Sequence, residues 1–189
     1  MKKISLVIIA MAITMASCKD NKKETETIDA EKTAVAVVAP KKIKIALSAK
    51  SDSNVSGHVV FTEEDGKVTM TAIIDGLEPG QHAIHLHESA DCSAEDGTSA
   101  GGHWNPTAQP HGKWGDATGY HKGDIGNFNA DENGNGTITF TTDEWCIGCD
   151  DTTKNILNKS VIVHAGTDDF TSQPSGDAGA RVSCAGIIK

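Results

Sequence analysis

Between His82 and Asp124 the chain reads HAIHLHESADCSAEDGTSAGGHWNPTAQPHGKWGDATGYHKGD, and this stretch holds six of the eight histidines. His85 and His87 stand one residue apart at the end of a strand-like run, and a Gly-rich segment then presents His103, His111, His121 and Asp124. Aromatic residues are only 4% of the chain, so this concentration of imidazole does not read as packing filler. Imidazole is the commonest side chain for a borderline transition metal, and a carboxylate is a frequent fourth ligand. The chemistry implied is a metal centre, and the number of ligands is enough for two.

These residues must be held by something rigid. From Ile43 onward the pattern is β: segments 43–47, 56–62, 67–74, 81–87, 125–129, 137–141, 160–164 and 181–188 are short, rich in Val, Ile and Thr, and bounded by turn residues. Asp65-Gly66 reads as a hairpin turn, and Asp131-Glu132-Asn133-Gly134-Asn135-Gly136 as another. No segment keeps a helical period. Eight short strands predict an all-β, eight-stranded antiparallel Greek-key barrel or sandwich of immunoglobulin-like type. Three long loops, 88–124, 143–159 and 165–180, interrupt it, and loops of that length are usually functional. Side chains alternate along a strand, so His85 and His87 share one face while His82, Ile84 and Leu86 share the other. Two imidazoles on one strand form half a site. His164, which ends the Val161-Ile162-Val163 run, is placed to approach from a neighbouring strand.

The front of the chain carries an address. Met1, Lys2 and Lys3 are followed by an apolar run and the small pair Ala16-Ser17 before Cys18, the layout of a bacterial lipoprotein signal with lipidation at Cys18. An ordinary secretory signal with an unrelated Cys has the same layout, and both readings export the protein to a bacterial periplasm or cell envelope. Residues 1–17 are read as the signal peptide, 18–41 as a lipidated Cys with a polar tether, and 42–189 as the folded domain. Removing residues 1–17 takes away two lysines and no acids, so the formal charge moves from −9 to −11. A body this acidic lacks the basic footprint that nucleic acid requires, and its expected contact with a membrane is the lipid on Cys18.

In an exported chain the four remaining cysteines, Cys92, Cys146, Cys149 and Cys184, predict two disulfides. Cys146-Ile147-Gly148-Cys149 is a redox motif in a thioredoxin-like βαβ setting, which this chain lacks. A local disulfide stiffening the second long loop is the preferred reading, with a thiol metal-acquisition site as the alternative.

His85-x-His87, Gly101-Gly102-His103-Trp104-Asn105-Pro106, His111-Gly112, His121-Lys122-Gly123-Asp124, Val163-His164 and Gly179-Ala180-Arg181, in that order, resemble the copper/zinc superoxide dismutase family. Asp91-Cys92-Ser93-Ala94 followed by Ser99-Ala100-Gly101-Gly102 resembles its exported bacterial branch, and the similarity runs over roughly residues 43–188.

The resemblance implies copper ligands His85, His87, His103 and His164, and zinc ligands His103, His111, His121 and Asp124, with His103 bridging. It makes Asp168 an outer carboxylate bonding one ligand of each metal, His82 a support behind the copper strand, Arg181 the anion-holding group, and Cys92–Cys184 a bridge from the metal loop to the last strand. The implied reaction converts superoxide to oxygen and hydrogen peroxide by cycling copper between Cu(II) and Cu(I), with zinc structural. The alternative is a copper- and zinc-binding protein on the same scaffold that does not catalyse dismutation. The sequence favours neither monomer nor homodimer. Loop 165–180 contains no Lys, which leaves Lys113 and Lys122 as the candidate cations to draw in an anion.

Overall fold

A computed structural model describes residues 39–189; Cys18, the leader and most of the tether lie outside the described residues. Eight strands form: β1 (Lys41–Ala49), β2 (Ser56–Glu64), β3 (Lys67–Asp75), β4 (Gly80–His87), β5 (Gly126–Ala130), β6 (Gly136–Thr142), β7 (Ser160–His164) and β8 (Arg181–Gly186). They close into an antiparallel barrel in the order β1-β2-β3-β6-β5-β4-β7-β8. The β3–β6 and β4–β7 neighbours are not consecutive in the chain, which gives the Greek-key crossings. The sole helical element among the described residues is a 3₁₀ turn, Thr98–Ala100.

The choice between barrel and sandwich turns on two thin seams. β1 meets β8 at only Ser48↔Cys184 and Ala49↔Ser183, and β5 meets β6 at only Ala130↔Gly136. Long ladders such as the nine pairs from Ser56↔Asp75 to Glu64↔Lys67 hold the two broad faces. The Asp65-Gly66 turn has φ of 49° and 74°, the two positive values a two-residue primed hairpin needs.

Alternation sets the core. On β3, Val68, Met70, Ala72 and Ile74 are fully buried, and they meet Val59 and Phe61 of β2 and Ile84 and Leu86 of β4. Burying each large side chain contributes about 1.5–3 kcal/mol. The outward residues of β3 and β6 pair instead through hydroxyls, Thr69 with Thr141 at 3.0 Å and Thr71 with Thr139 at 3.3 Å. Strand β1 begins at Lys41, inside the stretch assigned to the tether, because Lys41 and Lys42 continue the backbone ladder with β2 and the Lys41 ammonium pairs with Glu63 at 3.2 Å. With Ile84 and Leu86 facing the core, His85 and His87 project out of the barrel. They are still 0% and 1% exposed, because the long loops fold down over them.

Candidate metal centre

Strand register fixes the first half of the site. β4 pairs with β7 so that Ile84 faces Val163 and His85 faces Ile162, which brings His164 to a centroid distance of 5.0 Å from His85 and 5.6 Å from His87. The loop after β4 then turns back onto its own strand. His87 and His103 form an isolated bridge, Glu88 N–H donates to Gly102 O at 3.0 Å, and Trp104 N–H donates to Leu86 O at 2.8 Å. His103 therefore stacks 4.0 Å from His85 and 4.9 Å from His87. Beyond it lie His111 at 5.3 Å and His121 at 5.7 Å.

Two groups result, His85/His87/His103/His164 and His103/His111/His121/Asp124, each with its ligand atoms within 4.8 Å of one another and every member buried. They share His103. Six buried ring nitrogens have no hydrogen-bond partner: Nδ1 of His85, His111 and His121, and Nε2 of His87, His103 and His164. Buried polar atoms are ordinarily satisfied, so six failures in one place indicate a missing electrophile common to them. The opposite nitrogens of five of these six rings have partners. His85 Nε2 and His111 Nε2 each lie 2.9 Å from one oxygen of Asp168, and His87 Nδ1 lies 2.9 Å from Gly101 O. His164 Nδ1 lies 3.3 Å from Gly179 O, and His103 Nδ1 lies 2.8 Å from Asp124 Oδ1. Asp168, Gly101 and Gly179, which lie outside both groups, fix the tautomer and aim the lone pair inward, whereas Asp124 is itself a member of the second group. His111 Nδ1 and His121 Nδ1 approach Asp124 at 3.0 and 3.3 Å without hydrogen-bonding geometry. The donor set fits transition metals in both groups.

The electrostatics differ across His103. Burial holds His87 well below the usual imidazole value, with His103 adding to it, and burial followed by His85 does the same to His164. Burial also lowers His103 to about 4, against the pull of Asp124. At His111 burial again opposes charge, but Asp124 and Asp168 outweigh it and raise the ring to about 9. The Asp124 carboxylate is pushed up by burial yet ends far below its ordinary value, because His103, His111 and His121 all contact it. Asp168 behaves likewise through His111 and His85.

Arg181 donates to Gly97 O and Gly101 O, both at 2.8 Å. Gly101 O is also the acceptor for His87, so the guanidinium and that ligand are tied to one carbonyl. His82 places Nδ1 2.9 Å from His164 O and Nε2 2.7 Å from Glu78 O, and so braces the backbone behind the site. A Cβ at Gly176, where φ is +68°, would fall 1.8 Å from Asp168 Oδ1 and 2.7 Å from His111 Nε2, so only glycine fits there. Two disulfides are formed, Cys92–Cys184 with Cα atoms 5.8 Å apart and Cys146–Cys149 with Cα atoms 6.0 Å apart, both within the usual range.

Other contacts at the site come from side chains with no motif around them. The Gln173 amide accepts from His111 N–H and donates to His111 O, each at 2.9 Å. Glu144 binds the Tyr120 hydroxyl and the Lys122 ammonium, and Trp145 Nε1 donates to Lys122 O at 2.8 Å. Lys122 is thus committed to Glu144, contrary to its expected place among free steering cations. The stems of Lys50 and Arg181 flank Gly97, where a Cβ would lie 3.6 Å and 3.4 Å from them, and the Lys50 ammonium donates to Cys92 O at 2.5 Å, fastening the metal loop. The position of Lys50 in the β1–β2 turn carries no signal in the sequence.

Residues 55–187 match the family model described as copper/zinc superoxide dismutase. Solved structures give the same picture. A double mutant of a SOD-like protein from Bacillus subtilis is 28% identical with a TM-score of 0.69, over 77% of this chain and 97% of that one. The clock protein EA4 is 32% identical with a TM-score of 0.67, over 80% of this chain and 97% of that one. With barrel, ligand order and family match in agreement, the chain belongs to the copper/zinc superoxide dismutase family.

Proposed function

We propose that this protein is an exported, lipid-anchored superoxide dismutase, with copper held by His85, His87, His103 and His164 and zinc by His103, His111, His121 and Asp124. The observation that carries the reading is the convergence of six unpartnered, buried ring nitrogens into two groups joined through one shared imidazole, with Arg181 tied to the same carbonyl as His87. Copper, when bound, supplies one-electron chemistry between Cu(II) and Cu(I), and zinc supplies a redox-inert anchor.

The remaining roles belong to the chain. Arg181 holds the superoxide anion by charge and hydrogen bonds, and its two backbone contacts set the direction of the guanidinium. His103 faces the zinc group, where Asp124 lies, with Nδ1 and the copper group with Nε2, so its proton exchange falls at Nε2. Two superoxide anions and two protons give one oxygen and one hydrogen peroxide. Lys122 is committed to Glu144 and Lys50 to Cys92 O, which leaves Arg181 as the main cation that draws the anion in.

The test is metal analysis of the mature protein together with a superoxide-removal assay. About one copper and one zinc per chain, with activity lost on copper chelation, supports the enzyme. Full copper loading without activity overturns it in favour of a metal-binding protein, a reading favoured by relatives described only as SOD-like or as a clock protein. Lipidation at Cys18 is tested by the mass of the mature N-terminal peptide and by Cys18→Ser, which should release the protein from membranes.

A further inference from the structure

The loop between β6 and β7, residues 143–159, is not used by the proposed chemistry, yet it holds the zinc-side ligands from outside. Glu144 and Trp145 make three bonds to Tyr120 and Lys122, the two neighbours of His121. Trp145 is buried against Phe61 at 6.4 Å and Phe140 at 5.1 Å, so the bracket is rooted in the core. The next residue is Cys146, bonded to Cys149.

The two half-cystines sit differently. Cys146 is buried, its N–H donates to Lys154 O at 2.8 Å, and its C=O accepts from Ile156 N–H at 3.1 Å. Cys149 is partly exposed, between exposed Gly148 and Asp150, and its carbonyl is held by the Asn155 side-chain amide at 2.9 Å. A thiolate arriving from solvent therefore meets the Cys149 sulfur. The other bridge also has one partly exposed half, Cys92, but its buried half, Cys184, is 1% exposed and paired on both sides of β8, with Ile162 of β7 and Ser48 of β1, whereas Cys146 lies in a loop.

We propose that Cys146–Cys149 is a thiol–disulfide exchange site, opened at Cys149 by a dithiol reductant, and that opening it loosens the hold on His121. This rests on the zinc assignment made above but not on dismutation. A thiolate of the reductant attacks Cys149 Sγ, the S–S bond breaks, and Cys146 leaves as a thiolate and takes up a proton. The second reductant thiol then displaces Cys149, which is also protonated. Two electrons and two protons pass to the cysteines, and the reductant leaves as a disulfide. Exposed Asp150 and Asp151 flank the attacked sulfur and disfavour anionic thiols, so the partner is a neutral dithiol or a reductase with a basic face. The loop is knitted by turns and one isolated bridge, Cys146↔Asn155; Trp145 stays seated in the core when the bridge opens, and the hold that loosens is that of the half-exposed Glu144 on Tyr120 and Lys122. The ring closed is only four residues, so the barrel survives.

The experiment titrates the metal-loaded mature protein with dithiothreitol while mapping free thiols by alkylation and following zinc release to a coloured chelator. Cys146 and Cys149 should become alkylated at lower reductant than Cys92 and Cys184, with zinc release accelerating about threefold to tenfold in step, the equivalent of about one ordinary hydrogen bond. Cys146→Ser with Cys149→Ser should release zinc at the faster rate without reductant and not respond to its addition. Glu144→Gln should accelerate release with the bridge intact. Simultaneous opening of both bridges, or zinc release unchanged when Cys146 and Cys149 are fully reduced, overturns the proposal. A protein that binds no zinc overturns the metal assignment, and the order of thiol exposure still judges the exchange site.

Discussion

The two halves of the candidate metal centre, the one proposed for copper and the one proposed for zinc, are built in opposite ways. On the copper side three of four ligands stand on strands β4 and β7, so the barrel's own ladder sets their spacing. On the zinc side every ligand lies in one loop, and contacts from the two other loops hold it: Gln173 and Asp168 at His111, Glu144 and Trp145 around His121. The difference carries into charge. Buried His87, His103 and His164 repel protons, whereas His111, between two carboxylates, keeps one. The strand half is preformed by folding, and the loop half is preformed only as far as its clamps hold.

The largest expected effect comes from freeing the loop from the strand. Replacing Cys92 and Cys184 with Ser opens a ring spanning 92 positions and should cost about 4–5 kcal/mol in urea unfolding, against about 2 kcal/mol for the Cys146/Cys149 pair. Equal losses would erase the distinction between the bridges. Next, Asp124→Asn should weaken zinc binding by more than the ~10–100-fold typical of losing an outer partner, while copper affinity falls less than about tenfold. Competition titrations with both metals decide it, and equal losses would mean the halves are not separable.

The third test is pH. His111 is raised to about 9, so its contribution to the metal-free domain is complete below its unfolded value of 6.5 and is lost as pH rises through about 9. His103 is lowered to about 4, so its contribution is complete above 6.5 and is lost as pH falls through about 4. Thermal unfolding of the metal-free domain should therefore peak near neutrality, with an alkaline limb of about 1–2 kcal/mol once solvent screening is allowed for. Asp168→Asn should move that alkaline limb to lower pH; an unmoved limb would detach it from His111. The smallest effect belongs to Gln173→Ala, which removes two hydrogen bonds to the His111 backbone and should cost about 1–2 kcal/mol of zinc-site stability. Gln173→Glu, which still accepts from His111 N–H but cannot donate to His111 O, should fall between the two.

The strand half was also the half legible in the sequence. Alternation in Val68-Thr69-Met70-Thr71-Ala72 and the His85-x-His87 spacing are local signals that a period of two makes readable. The histidines of the loop half were legible by type, since no ordinary loop needs three of them. Its clamps were not. Gln173, Glu144 and Lys50 are common surface residue types, and each acquires meaning only from a partner brought beside it by the fold. Lys122 shows the same limit from the other side: a cation in the right loop, committed to Glu144 by a contact nothing local announces. The strand ends shifted for a related reason, because polar Lys41, Lys42 and Glu63 continue the β1–β2 ladder through backbone bonds that hydrophobic pattern does not register.

The thin seam between β1 and β8 bears on the order in which the protein can fold. Those strands are the two ends of the domain, and only Ser48↔Cys184 and Ala49↔Ser183 join them. Contacts so distant along the chain cannot form until the whole domain has been made, and they close a loop that runs nearly the full length of the described residues. Hairpins such as β2–β3 can assemble as the chain emerges, but the cylinder stays open until its last strand arrives. His164 arrives just before it on β7, and Arg181 and Cys184 arrive with β8 itself, so the four-histidine group gains its neighbouring guanidinium and its disulfide only as the barrel closes.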